Sequence, residues 1–211
     1  PPTVEFTSAS QSSIGESGTL TITAQLSGVS VNDVDVPFTV TGTATGGGTD
    51  YSITASPITI TAGNLTADIT ISIATDTIDE ANETVIVTMG APTNATQGAT
   101  TVHTATITDD DTAPTVSFTS GSQASVDESG TLTVTAQLSA VSSFDVDVPF
   151  TINGLSTAID PDDYSITASP ITIPAGSLSA DITITIADDL LDENDETIII
   201  DMGAPINASQ G

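Results

Sequence analysis

The motifs of this chain occur twice, and this duplication constrains its fold more than any other feature. ESGTLT begins at residues 16 and 128, TAQLS at residues 23 and 135, and DYSITASPITI at residues 50 and 163. Self-similarity at a nearly constant spacing indicates two copies of one structural module. We therefore predict two domains, residues 1–112 and residues 113–211, joined through TDDDTAPTVSF. A linker this short, stiffened by a proline, favours a semi-rigid tandem.

Within each copy, apolar residues recur at every second position, as in LTITAQL, ITISI and VIVTM of the first copy. A period of two indicates β-strands with one buried face, and Thr fills many of the opposite positions. Gly, Asn, Asp and Pro separate these runs, as turn residues do. About seven strands in roughly 110 residues predict an all-β fold, namely two tandem immunoglobulin-like antiparallel β-sandwiches. The Cys pair and core Trp of antibody domains are missing.

The charge of the chain is entirely acidic. It carries 28 Asp and Glu residues, one His and no Lys or Arg, so its formal net charge is -28. Nucleic acids and anionic membranes bind proteins through basic residues, so we expect no nucleic-acid partner and no direct membrane insertion. Two carboxylates about 4 Å apart repel by roughly 1 kcal/mol in water. Clustered acids must therefore stay solvated, take up protons or hold a cation.

The acids are clustered in a few loops. The second copy has six of them within nine residues, 188–196, and the first copy has a related turn at residues 76–83. Each copy adds the Glu of ESGTLT and the Asp of DYSI, and an Asp run fills residues 109–111. Loops of a sandwich can share one end, because sequential strands alternate in direction. Oxygen ligands without nearby His or Cys favour Ca²⁺ over zinc or copper. No EF-hand loop occurs, so we predict a calcium site assembled from distant loops.

These motifs resemble the Calx-beta domain family of calcium-binding β-sandwiches. The resemblance rests on ESGTLT, DYSI, ITIPAGSLSADITITIADDLLDENDETIII and ATITDDD, and it covers both copies nearly end to end. It implies calcium ligands from the early Glu, the Asp before the Tyr, the acidic turn and the closing Asp run. In the first copy these are Glu16, Asp50, Asp76, Glu80, Glu83, Asp109, Asp110 and Asp111. In the second copy they are Glu128, Asp163, Asp188, Asp189, Glu193 and Glu196.

The chain departs from the family pattern in two places. Thr75 stands where the second copy has Asp188 and where the family usually has an acid, so we expect fewer ions in the first copy. The second copy stops at Gly211, where its last strand should begin, so its site lacks a closing Asp run. Either the sequence is a window from a longer array, as its abrupt start also suggests, or another chain fills the gap by β-strand addition. Both alternatives stay open at this point.

No constellation in the sequence predicts catalysis. His103 is single and belongs to one copy only, so we expect a structural role rather than an acid–base one. Aromatic residues make up only 3% of the chain, too few to line a sugar-binding cleft. We predict that the chain is not an enzyme. Asn64, Asn82, Asn94 and Asn207 fit the N-x-[ST] pattern and are candidate glycan acceptors.

Together these features predict a non-catalytic calcium-binding repeat module of an extracellular or cell-surface protein with a structural or adhesive role. A surface fibre, an adhesin and a matrix filament are examples. Calcium would stiffen the acidic loops and the joint at residues 109–111. The expected partners are neighbouring repeats of the same chain or identical subunits. One alternative is a calcium-sensing regulatory module, and another is a filament subunit that assembles by β-strand donation.

Overall fold

The structure, a computed structural model, describes residues 1–127, 129–188, 190 and 194–211. In these residues the regular structure is entirely β, which confirms the predicted class of two tandem β-sandwiches. By contacts the chain divides into one unit of Pro1–Asp76 with Ala81–Asp110 and another of Thr77–Glu80 with Asp111–Gly211. Across the described ranges, no helix has the length and hydropathy needed to cross a membrane.

The first unit is built from strands of two to eight residues. They are β1 (Thr3–Phe6), β2 (Thr19–Leu26), β3 (Val34–Val36), β4 (Phe38–Gly42), β5 (Tyr51–Ile53), β6 (Ile58–Ile60), β7 (Thr66–Ile73), β8 (Glu83–Met89), β9 (Thr96–Gln97) and β10 (Val102–Ile107). One sheet has the order β5-β7-β2-β1-β9, a second has the order β10-β8-β4, and β3 pairs with β6. Alternate residues of these sheets face one common core, as the period of two predicts. Its fully buried members include Val4, Phe6, Ile22, Val34, Ile60, Ile69, Ile71, Val85, Val87 and Ala105.

Two features of the first unit go beyond the sequence-based expectation. Pro37 separates β3 from β4, and the chain changes sheets there, because β3 pairs with β6 whereas β4 pairs with β8. Proline has no backbone N–H to donate to a ladder, so it suits such a break. The second feature is a short parallel pairing, in which Thr3 lies opposite Thr96 and Val4 opposite Gln97. The other strand pairs of this unit are antiparallel.

The second unit repeats this arrangement as far as the structure describes it. Its strands are β11 (Thr115–Phe118), β12 (Gly130–Leu138), β13 (Val146–Val148), β14 (Phe150–Ile152), β15 (Tyr164–Ile166), β16 (Ile171–Ile173), β17 (Ser179–Ile186), β18 (Ile200–Met202) and β19 (Ser209–Gln210). The sheet β15-β17-β12-β11-β19 matches the five-stranded sheet of the first unit, and β13–β16 and β14–β18 match β3–β6 and β4–β8. Among the described residues, no strand corresponds to β10.

Candidate metal centre

The loop that carries Glu16 is held by main-chain hydrogen bonds on both sides. Ile14 N–H donates to the carbonyl of Thr106 at 3.1 Å, and Ile73 N–H donates to the carbonyl of Gly18 at 3.0 Å. These bonds attach the loop to the ends of β10 and β7. The Glu16 side chain is only 6% exposed. The fold therefore fixes a buried carboxylate in the first copy of the motif set, residues 1–112, which is called the first repeat below; residues 113–211 are the second repeat.

Asp50 stabilises the turn before β5 and connects it to the acidic turn. Thr45 N–H donates to Asp50 Oδ2, and Ala74 N–H donates to the Asp50 carbonyl at 2.9 Å. Ala74 directly follows β7, so this second bond sets Asp50 beside the start of the acidic turn. The second repeat uses the same main-chain bond, from Ala187 N–H to the Asp163 carbonyl at 2.8 Å. The DYSI motif thus has a structural role in both repeats, in addition to any role as a ligand.

The closing Asp run follows β10 and lies beside the Glu16 loop. Asp109 N–H donates to Asn82 Oδ1 at 3.1 Å, which links the run to the acidic turn. The Oδ1 atom of Asp109 is buried and accepts no hydrogen bond. Asp110 Oδ2 lies 3.0 Å from the position that a Cβ atom would take on Gly15. Glycine at position 15 therefore lets a carboxylate approach the loop closely.

Carboxylates of the first repeat come together in two groups of three. Within each group, one oxygen from each side chain lies within 4.8 Å of the others. The groups are Glu16, Asp76 and Asp111, and Asp50, Glu80 and Glu83. At 4.8 Å, two ionised carboxylates repel by about 0.9 kcal/mol in bulk water and by about 3.5 kcal/mol at an effective dielectric constant of 20. The chain has no Lys or Arg side chain to offset this repulsion.

The donor atoms of these groups fit a hard divalent cation. Every side-chain donor in both groups is a carboxylate oxygen, the ligand type that Ca²⁺ prefers, and Ca²⁺ takes about six to eight oxygens. Zinc and copper sites usually include imidazole or thiolate ligands, and neither group contains one. The buried, unbonded Oδ1 of Asp109 is a further oxygen in the same loop region. Buried acceptors without a donor are rare in folded proteins, which favours a cation nearby.

The structure thus sorts the predicted ligands of the first repeat into subsets. The first group contains Glu16, Asp76 and Asp111, and the second contains Asp50, Glu80 and Glu83. The other two predicted ligands, Asp109 and Asp110, belong to neither group. Nothing in the fold tests whether any of these residues binds a metal, so the ligand assignments stay predictions.

In the second repeat, Glu128, Asp189 and Glu193 lie outside the described residues. Asp163, Asp188 and Glu196 line one cleft. Among the residues described there, no three carboxylates approach as they do in the first repeat.

Sequence analysis did not predict the contacts that three residues make in the site. Thr75, predicted only as a lost ligand, donates its hydroxyl to the carbonyl of Glu16 at 2.5 Å. Asn82 accepts the hydrogen bond from Asp109 N–H, and Gly15 provides the space beside Asp110. The sequence offered a hint for Gly15 alone, because Gly15 directly precedes Glu16 whereas Asp127 directly precedes Glu128 in the second copy. Such contacts depend on tertiary structure, so neither spacing nor composition reveals them.

The single histidine and the candidate glycan sites have local structural contacts. His103 is 2% exposed, and its Nδ1 lies 2.7 Å from the carbonyl oxygen of Ser8, as expected of a structural side chain. All four candidate asparagines are exposed. Asn94 and Asn207 adopt φ values of 55° and 60°, a left-handed conformation that Asn tolerates better than most residues. Their side-chain amides donate to backbone carbonyls at 2.8 and 2.9 Å. Glycosylation at the four sites stays a prediction.

The two tyrosines that directly follow Asp50 and Asp163 are buried. Tyr51 is 6% exposed and Tyr164 is 2% exposed. Burial raises the pKa of the Tyr51 hydroxyl, and the charge of Asp50 raises it further. Burial also raises the pKa of Tyr164, with added effects from Asp160 and Asp163. Both hydroxyls therefore stay neutral in the folded protein to a higher pH than in the unfolded chain.

A family model described as Calx-beta domain matches residues 1–111 and again residues 109–210. The chain belongs to the Calx-beta domain family. Among solved structures, it is similar to CBD12 from CALX1.2, with 19% identity, a TM-score of 0.46, and coverage of 96% of this chain and 80% of that one. It is also similar to the calcium binding domain CBD12 of CALX1.1, with 17% identity and a TM-score of 0.47. That match covers 99% of this chain and 81% of the other. The apo-form Calx CBD1 domain matches at 17% identity and a TM-score of 0.46, over 52% of this chain and 98% of that one. No curated protein matches this chain.

Proposed function

We propose that these two Calx-beta domains bind calcium without catalysing a reaction, as a module of an extracellular structural or adhesive protein. The proposal rests on the group of Glu16, Asp76 and Asp111, in which one carboxylate oxygen of each residue lies within 4.8 Å of the others. The Glu16 side chain in this group is only 6% exposed. A divalent cation between these oxygens replaces their mutual repulsion with attraction to a common ion. Membership of a family whose relatives include a calcium binding domain supports the same ion.

Calcium would connect parts of the first repeat that are far apart in sequence. Glu16 precedes β2, Asp76 follows β7, and Asp111 belongs to the run after β10. An ion held by these three residues would fix the run that leads into the second repeat. The second group, with Asp50 before β5 and Glu83 at the start of β8, would fix the acidic turn. We therefore expect calcium to stiffen both the loops and the joint at residues 109–111.

Calcium supply and net charge support the proposed extracellular role. Calcium sites of extracellular modules have dissociation constants on the order of 10⁻⁴–10⁻³ M, whereas intracellular sensors bind more tightly. A module with a net charge of -28 keeps strong repulsion in low calcium and gains most where calcium is abundant. In this proposal its partners are neighbouring repeats of the same chain or identical subunits. Glycans on Asn64, Asn82, Asn94 and Asn207 would suit a surface protein.

Calorimetric titration with calcium, combined with thermal unfolding in calcium and in chelator, tests the proposal. Calcium at ten times its dissociation constant should stabilise the folded state by about 1.4 kcal/mol. Magnesium at the same concentration should give a smaller effect, because it loses its bound water reluctantly. Equal stability in calcium and chelator would refute calcium binding. Submicromolar affinity with a large change in shape would instead support the alternative of a calcium-sensing module.

A further inference from the structure

A short segment of the acidic turn belongs to the second unit. By contacts, Thr77–Glu80 groups with Asp111–Gly211. The Ser142 hydroxyl donates to Asp79 Oδ2 at 2.9 Å, and Ser143 N–H donates to the Asp79 carbonyl at 3.0 Å. Ser142 is only 1% exposed, although it lies in the loop between β12 and β13. This loop is thus a docking surface for a Calx-beta acidic turn.

The loop between β2 and β3 in the first repeat has the same local hydrogen bonds. The Ser30 hydroxyl accepts a bond from the backbone N–H two residues later at 3.1 Å, and the Ser142 hydroxyl does so at 3.2 Å. The carbonyl of each serine accepts a bond of 2.9 Å from a glycine N–H in the turn before β7 or β17. The sequences GVSVND and AVSSFD align in these loops. Ser30 and Val31 therefore occupy the positions of Ser142 and Ser143.

The first-repeat loop is exposed where its counterpart is covered. Val31 is 90% exposed and Val29 is 64% exposed, whereas Val141, the counterpart of Val29, is half-buried. Leu65 adds a third apolar side chain, 42% exposed, and its carbonyl accepts a bond from Leu26 N–H at the end of β2. Exposed apolar side chains that cluster in this way mark interaction sites.

The occupant of the second-unit loop defines the chemistry that fits the first-repeat loop. Asp79 supplies two hydrogen-bond acceptors, its carbonyl and its carboxylate, and Ile78 beside it is half-buried. A serine hydroxyl that accepts one hydrogen bond can still donate its own hydrogen. The Ser30 hydroxyl and the Val31 N–H are therefore the matching donors, and Val29 and Val31 provide the matching apolar surface. An apolar residue followed by Asp, held in a turn, fits this loop.

We propose that residues 29–31 of the first repeat are a docking surface for the acidic turn of another Calx-beta repeat. The Asp of that turn accepts hydrogen bonds from the Ser30 hydroxyl and the Val31 N–H, and the apolar residue before it covers Val29. The inference rests on the proposed function, because neighbouring repeats are the partners proposed there. The turn and the loop are different surfaces of a repeat, so such contacts join repeats head to tail.

A three-repeat protein tests this surface. A copy of residues 1–112 is placed before Pro1 of the whole chain, so that a copied acidic turn precedes the first repeat as residues 76–83 precede the second. Only the original 211 residues carry isotope labels, and hydrogen exchange of the Val31 N–H is followed by NMR in chelator. In the three-repeat protein this amide should exchange about tenfold or more slowly than in the original chain. Equal exchange rates would overturn the proposal.

Substitutions on both sides of the contact test which residues form it. In the copied turn, Asp79→Ala removes the carboxylate acceptor and should remove most of the protection. Asp68→Ala in the same copy, at a residue on β7, removes an equal charge and should retain the protection. In the first repeat of the original chain, Val29→Asp places a carboxylate against the acidic turn and should abolish protection. Leu155→Asp, at a residue that is 78% exposed in the second repeat, is its control and should change nothing. Protection that survives both Asp79→Ala and Val29→Asp would contradict the proposed contact.

The same protein separates this inference from the proposed calcium function. Protection of the Val31 amide in a protein that binds no calcium in calorimetry would support the docking surface and refute the calcium function. Calcium binding together with an unprotected Val31 amide would do the reverse.

Discussion

Glu16→Gln should stabilise the first repeat in chelator and should reduce the further stabilisation that calcium adds. The substitution keeps the shape of a side chain that is 6% exposed and removes its charge. Without calcium, it relieves repulsion from Asp76 and Asp111, each within 4.8 Å. Even at the dielectric constant of bulk water, removing two such repulsions should stabilise the first repeat by about 2 kcal/mol. Burial of Glu16 increases this gain, because repulsion is stronger at a lower dielectric constant.

In calcium, the same substitution removes a ligand and should reduce the stabilisation by the ion. At a concentration 100 times the original dissociation constant, calcium stabilises the native protein by about 2.7 kcal/mol. If Glu16→Gln raises that constant tenfold, the stabilisation falls to about 1.4 kcal/mol. The variant should therefore be more stable than the original protein in chelator and should gain less from calcium.

Hydrogen exchange of amides on β2 and β7 measures the free energy of unfolding of the first repeat within the whole chain. Asp68→Asn is the matched control, because Asp68 lies on β7 and belongs to neither carboxylate group. Its Oδ1 accepts a hydrogen bond from the hydroxyl of Thr23, and an amide oxygen can accept the same bond. The control should change stability equally in chelator and calcium. If Glu16→Gln destabilises the first repeat in chelator, the electrostatic argument is wrong.

Three further substitutions test the packing and protonation of the first repeat. Gly15→Ala should weaken calcium binding about tenfold in calorimetry, because the added Cβ would lie 3.0 Å from Oδ2 of Asp110 and displace that carboxylate. Gly28→Ala is the control and should leave calcium binding unchanged, because a Cβ there would have no atom within 4 Å. Gly42→Ala should lower the free energy of unfolding by about 3 kcal/mol in urea denaturation, since its φ is 129° and its Cβ would lie 2.1 Å from a carbonyl oxygen. Its counterpart Gly154 has no atom within 4 Å, so an equal loss in Gly154→Ala would contradict this reasoning. Burial raises the pKa of the Tyr51 hydroxyl above its ordinary value of 10.0. The neutral hydroxyl therefore stabilises the fold below about pH 10, and this stabilisation is lost as the pH rises through the raised pKa. Tyr51→Phe should make the free energy of unfolding fall less steeply above about pH 10, and equal slopes for the variant and the original protein would refute this.

The sequence alone predicted which residues build the core, because a β-strand presents alternate side chains to opposite faces. Leu20, Ile22, Ala24 and Leu26 alternate with polar residues, and in the structure they are 8%, 1%, 0% and 3% exposed. The change of sheet at Pro37 had a signal in the proline itself, but alternation continues across it and concealed the break. The parallel pairing of β1 with β9 involves two residues on each strand, too few to leave a pattern.

The sequence also predicted which residue types would gather, but not how they would divide. Eight acids of the first repeat were expected at one end of the sandwich, and nothing in their spacing showed that Glu16 would meet Asp76 while Asp50 would meet Glu83. That division depends on where the strands end in space. The structural roles of Asn82 and Thr75 were not predicted for the same reason, because each depends on a single hydrogen bond, from Asp109 N–H to Asn82 and from the Thr75 hydroxyl to a loop carbonyl.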